Sequence, residues 1–126
     1  MKTIRLPWTT VAVDGTTEVF IPATGWMDSS DVAKVRTNFE ARGFTGLMNV
    51  LVGYQTANVE NAPDAHVTTG SFQTTAGVYF GSSFADAASN TQAKRMVRFG
   101  WVVKLTSGST LATVRVAGSV DIVKPA

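Results

Sequence analysis

Residues able to do chemistry are few and scattered in this chain. His66 is the only histidine among 126 residues, and it follows Asp64 by two positions in a polar stretch. A histidine beside a carboxylate can serve as a general base, but nucleophilic catalysis also needs an activated Ser, Cys or Thr within hydrogen-bond reach. No serine motif accompanies the pair, so His66 reads as a surface histidine. Cysteine is absent, which excludes a thiol nucleophile, a cysteine–zinc centre and a disulfide framework. A histidine-based metal centre would need further ligands. The nine carboxylates form no recognisable pair of the kind used in glycoside hydrolysis. Asp28, Asp31, Asn58, Glu60 and Asp64 offer the oxygen ligands calcium takes, though not at EF-hand spacing, and read as exposed loop acids. The expectation is a non-enzyme with no catalytic residue, no metal and no cofactor.

Recognition is the other chemistry a chain can offer. The formal charge is +2, unevenly placed: residues 95–126 carry Arg95, Arg98, Lys104, Arg115 and Lys124 against Asp121. Arg98, Lys104 and Arg115 fall on one polar strand face if residues 96–123 form a hairpin. A basic sheet face can meet nucleic acid, but dispersed charges without an exposed aromatic pattern fit a solvated strand face better. Trp8 and Trp26 could be stacking platforms; large aromatics near strand ends are more often core plugs, and they are read so here. Tyr54, Gln55, Asn58 and Trp26 would serve a sugar site, which makes a carbohydrate-binding, lectin-like module the alternative reading. There is no apolar h-region after Lys2 and Arg5, and no run approaches the ~20 apolar residues of a membrane span. Synthesis in a cytoplasm is expected, with neither membrane nor nucleic acid as partner.

The elements that must position these residues are strands. Phe99, Trp101, Val103 and Leu105 alternate with Arg98, Gly100, Val102 and Lys104. After Thr106-Ser107-Gly108-Ser109, Ala112, Val114, Val116, Val120 and Ile122 again share one face. Read as a hairpin, this places Trp101 opposite Val114, Phe99 opposite Val116 and Val103 opposite Ala112, with all three pairs apolar. Asp14-Gly15 between Val-rich runs is a second hairpin signal. Residues 32–42 alternate as a strand, although Val32, Val35 and Phe39 also fit a narrow helical stripe capped near Asp28–Asp31; the strand is preferred. Gly43-Phe44-Thr45-Gly46 reads as the turn that follows.

Leu47–Tyr54 is apolar at nearly every position, the mark of a central strand covered on both faces. Residues 55–70 read as a long loop with a short strand near His66–Thr69. A strand ends at Gly77-Val78-Tyr79-Phe80, and Gly81–Lys94 is a second long loop. Abundant Val and Thr favour strands over helices. The pattern predicts an all-β fold: one antiparallel β-sandwich domain over residues 1–126, with jelly-roll or related Greek-key topology. Residues 1–8 are a possible N-terminal arm, and 124–126 a frayed end.

Val52-Gly53-Tyr54-Gln55-Thr56-Ala57-Asn58, the loop with Pro63-Asp64, and Val97–Leu105 with the closing strand resemble small β-sandwich virion proteins of tailed bacteriophages. The resemblance spans roughly residues 50–122 and is closest to head decoration (cement) and minor head proteins. It implies a structural virion protein, made in the host cytoplasm, that stabilises a phage head. Its partners would be the major capsid protein or another virion protein, and further copies of itself. Contacts are expected from the long loops, the N-terminal arm and an exposed strand edge, with Trp8, Phe44, Tyr79 and Phe84 as apolar anchors.

Overall fold

The computed structural model describes residues 1–81, 83–87, 91, 94–108 and 110–126. Its strands are β1 (Lys2–Val13), β2 (Val19–Pro22), β3 (Met27–Asp28), β4 (Lys34–Thr45), β5 (Met48–Ala57), β6 (Val67–Thr68), β7 (Gly77–Phe80), β8 (Ala85–Asp86), β9 (Met96–Leu105) and β10 (Ala112–Val123). No α-helix occurs among the described residues. Residues 34–45 are a strand, as the alternation of polar and apolar side chains requires. Residues 1–8, set apart above as an arm, run into β1, whose Lys2 already pairs with Ile122. Residues 82, 88–90, 92–93 and 109, which include much of the Gly81–Lys94 loop and the Ser109 of the proposed turn, lie outside the described set.

Two antiparallel sheets face each other. Sheet A has the order β1-β10-β4-β7, with β8 extending the β7 side of β4; sheet B has the order β2-β9-β5-β6, with β3 extending the β2 side of β9. The pairings are nested: β1 with β10, β2 with β9, β4 with β7 and β5 with β6. A folded-over ribbon of that kind, rolled so that β10 meets β4 and β9 meets β5, is a jelly roll.

Nesting corrects the hairpin expected over residues 96–123. β9 pairs with β2, β3 and β5, while β10 pairs with β1 and β4. The segment between them therefore crosses from one sheet to the other, and Trp101 lies beside Val52 and Ile21 rather than Val114. Both apolar rows still face the core, because rows that could pair side by side can equally pack face to face. Alternation reports which face is buried and says nothing of which strand lies alongside. Asp14-Gly15 is likewise a passage between sheets, not a hairpin turn: the Gly15 carbonyl accepts from Leu105 N–H at 2.8 Å.

Between the layers lie Leu6, Val11, Val13, Val35, Phe39 and Val116 from sheet A and Val50, Val52, Phe99, Trp101 and Val103 from sheet B. Phe39 links the sheets, its ring edge-on to Trp101 at 5.8 Å and tilted against Tyr79 at 5.1 Å. The long strands bend at two irregularities. In β1 the register shifts between Leu6 and Thr9. In β4 and β10 it shifts between Arg115 and Thr113, next to Gly43 at φ 64°; that backbone suits glycine, and such bulges bend a strand. Gly43 therefore sits inside β4, and the chain turns three residues later, at Gly46-Leu47.

Candidate functional site

The outer faces of the two sheets carry the recognition chemistry, and they divide residues expected on one face. Arg98 and Lys104 project from sheet B and Arg115 from sheet A, because β9 and β10 belong to different sheets. Each cation lies over an aromatic ring. Arg98 is 4.3 Å from the Trp26 centroid and 5.9 Å from that of Phe20, and Lys104 is 4.5 Å from Phe72. Arg115 and Arg42 flank Trp8 at 5.4 and 5.3 Å, and Arg36 lies 4.5 Å from Phe84. Aromatic partners thus accompany the basic residues, contrary to the sequence reading; a cation over a ring face is attracted by the ring's quadrupole.

Sheet A presents a shallow groove of about 240 Å³ on its outer face. Ala117, Gly118 and Ser119 of β10 form its floor, with Asn38 and Glu40 of β4 beside them. Trp8 stands at one wall and Val78 and Phe80 of β7 at the other. All three are exposed, at 43%, 54% and 77%. The register accounts for the wall on β1. Ile4 and Leu6 face the core from even positions, Val11 and Val13 from odd ones, and the bulge at Pro7-Trp8 absorbs the change. Trp8 is thereby thrown outward, so its reading as a core plug is corrected.

Beside the groove, Asp121 of β10 ties three strands together. Its carboxylate accepts from Thr3 Oγ1 at 2.8 Å, from Arg36 Nε and Nη2 at 3.0 and 2.8 Å, and from Asn38 Nδ2 at 3.4 Å. The Thr3 hydrogen bond, followed by the Arg36 contacts, holds the carboxyl below its ordinary range against the opposing pull of burial. Asn38 Oδ1 in turn accepts from Gly81 N–H at 3.1 Å, which secures the end of β7.

The anchors expected from the sequence separate here. Trp8 is exposed, whereas Phe44 and Tyr79 are partly buried and pack against the core. Phe84 lies half-buried under Arg36. Val78 and Phe80 were missed. With Gly77-Val78-Tyr79-Phe80 apolar throughout, no polar residue marks the outward side of β7. For Trp8 a signal did exist, in the change from even to odd apolar positions between Leu6 and Val11.

The sheet B face does not assemble the residues named for a sugar site. Tyr54 is 2% exposed and packs in the core. Gln55 Oε1 is occupied by Arg98 Nε and Nη2 at 3.1 and 2.8 Å, and Trp26 lies beneath the same guanidinium. Asn58 Oδ1 accepts from Arg95 N–H. The central outer row of this sheet, Phe20–Val102–Leu51 in register, has Val102 and Leu51 fully buried.

The remaining polar candidates are also dispersed. His66 Nε2 meets Glu18 Oε2 at 2.9 Å and stacks on Phe20, so its partner is not Asp64. Asp64 instead accepts from Thr56 Oγ1 at 2.9 Å and pairs with Lys94 at 3.4 Å. Asp28 accepts from Ser30 N–H at 2.9 Å and Oγ at 2.7 Å in a local turn, which lowers its pKa. Asp31 pairs with Lys124 at 3.8 Å. Among the described residues no three His, Cys, Asp or Glu side chains come together.

No protein-family model matches the sequence, and no curated protein matches it. Solved structures share the fold, two chains of virus structures among them. A chain in the structure of infectious bursal disease virus Gt strain aligns over 94% of this chain and 32% of its own length, with TM-score 0.62 and 8% identity. A chain in the structure of the Gx strain aligns over 97% and 32%, with TM-score 0.56 and 10% identity. This chain thus spans about a third of the length of the chains it resembles, and at such identities the likeness is one of fold. The protein is a jelly-roll β-sandwich of the kind found in those virus structures. Neither neighbour comes from a tailed bacteriophage.

Proposed function

We propose that the protein is a structural component of a virus particle, and within that class a decoration or cement protein that binds an assembled shell and stabilises it. The observation that carries the coarser statement is the fold, shared over 94% of the chain with a chain of a virus structure. The finer statement draws on the resemblance of residues 50–122 to phage head decoration proteins and on the outer face of sheet A. That face leaves Trp8, Val78 and Phe80 exposed around a groove. The partner would be the major capsid protein or another virion protein, and no chemical step is assigned to the chain.

The mechanism is mass action. A protein that binds the closed lattice and not the loosened one adds its binding free energy to the closed state. Many copies, each held weakly, sum to a strong effect because the lattice presents their sites together. Particles stripped of the protein should stay assembled but rupture at lower temperature, and adding back purified protein should restore the original rupture temperature. Equal robustness with and without it would overturn the cement reading, and absence of the protein from purified particles would overturn the virion reading. Binding to a glycan array in place of particles would move the assignment to attachment.

A further inference from the structure

We infer that β7 is a self-pairing edge, through which two copies of the chain join their A sheets across a two-fold axis. β7 lies at one end of sheet A, and among the described residues no strand pairs its far side. Which of its peptide groups are free follows from one hydrogen bond. Gly81 N–H donates to the Thr37 carbonyl at 2.9 Å, so the Gly81/Thr37 pair is hydrogen-bonded. Such pairs alternate along an antiparallel ladder. Tyr79 and Gly77, in register with Phe39 and Ala41, therefore point their peptide groups at β4. Val78 and Phe80 point theirs outward.

A two-fold axis through Tyr79 places Val78 opposite Phe80 of the second copy, and Phe80 opposite its Val78. Both outward N–H groups and both outward carbonyls then find partners, which is the geometry of strand addition. The same register sets the exposed Val78 side chain against Phe80 of the second copy on the outer face. Directly opposed apolar side chains stabilise a sheet. A surface patch that matches its own two-fold copy is the requirement for an isologous dimer.

Charge singles out this edge and the like partner. No charged residue occurs from Val67 to Ala85, so two copies of β7 meet without like-charge repulsion. At the opposite end of sheet A, β1 carries Lys2 and Arg5, a proline without an N–H at position 7, and the register break at Trp8. These are devices that keep an edge from pairing. The self-complementarity of β7 holds whether or not the chain belongs to a particle.

The test uses the full chain. Sedimentation equilibrium from about 5 to about 500 µM, the range in which so small an interface dissociates, should show a reversible monomer–dimer equilibrium. Phe80→Lys should weaken dimerisation at least about tenfold, as loss of a central aromatic anchor does. Its thermal midpoint should stay near that of the native protein, and Val78→Lys is the second variant should the first not fold. The absence of cysteine gives a clean register test. In a hydrogen-bonded pair the Cα atoms are ~5.5 Å apart, within disulfide reach. Val78→Cys with Phe80→Cys should therefore cross-link on mild oxidation, whereas Val78→Cys alone should not. A chain that stays monomeric throughout, a dimer that survives Phe80→Lys, or equal cross-linking by the single variant would overturn the inference. So would β7 amides protected only on an assembled particle, which would assign the edge to a strand of another protein.

Discussion

The outer faces of sheets A and B, each five strands wide, finish very differently. On sheet B the central row is apolar, Phe20–Val102–Leu51, and its two inner members are sealed from solvent. Arg98 and Lys104 lie over the rings of Trp26, Phe20 and Phe72 on that side. On sheet A the corresponding surface is polar at the centre, organised by Asp121, with small residues flooring a groove between exposed Trp8 and Phe80. One face is finished within the chain and the other is left open. A burial pattern therefore separates an outer face sealed by the chain itself from one whose apolar side chains stay exposed to solvent.

The largest effect should come from the layer that both faces share. Trp101 is fully buried, with Phe39 edge-on against it. Trp101→Ala should cost about 3–5 kcal/mol, a large part of the ~5–15 kcal/mol total of an ordinary domain. Chemical denaturation would measure the loss. A change within a degree or two in melting temperature would contradict the burial on which the comparison rests.

The next effect contrasts the two outer faces. Leu51 projects away from the main core yet is sealed. Leu51→Ala should therefore behave as a core truncation, costing about 2–4 kcal/mol, with particle binding by the folded fraction unchanged. A cost of a few tenths would mean that sheet B is as open as sheet A.

Asp121 gives a smaller, pH-dependent effect. Its folded pKa is lowered, by the Thr3 hydrogen bond first and then by Arg36 and Asn38. The carboxylate therefore contributes stability above its unfolded pKa of ~3.9, and that contribution is lost as pH falls through the lower folded value. Asp121→Asn should cost about 1–2 kcal/mol at neutral pH, a figure kept low because Arg36 is partly solvated. The gap between variant and native melting temperatures should close as the pH drops below ~4. A gap independent of pH would point to packing and not charge.

These contrasts also show what the amino-acid order discloses. Alternation in Met96–Leu105 and Ala112–Val123 marks the buried side chains, because period two is imposed by the strand itself. It is silent on partners. In a nested ribbon the strand beside β10 is β1, whose Lys2 pairs with Ile122 at the far end of the chain, and only β5 and β6 are paired neighbours in sequence among the described strands. The open face was harder still to read. Trp8 owes its exposure to a bulge that the shift from Leu6 to Val11 betrays, whereas Val78 and Phe80 differ from core residues only in which way an all-apolar strand is turned.

The smallest effect on stability should carry the largest effect on binding. Trp8→Ala removes a ring that is 43% exposed and held by Arg42 and Arg115. It should cost less than about 1 kcal/mol of folding stability while sharply weakening association with particles. A strong fall in melting temperature with intact binding would reverse the roles assigned to the two faces.

Hydroxyl-radical footprinting of the protein, free and bound to particles, tests the central claim most directly. Trp8 should lose most of its reactivity on binding, while Trp26 and Phe72 on sheet B stay as reactive as in the free protein. Protection of Trp26 and Phe72 with Trp8 unchanged would contradict the account.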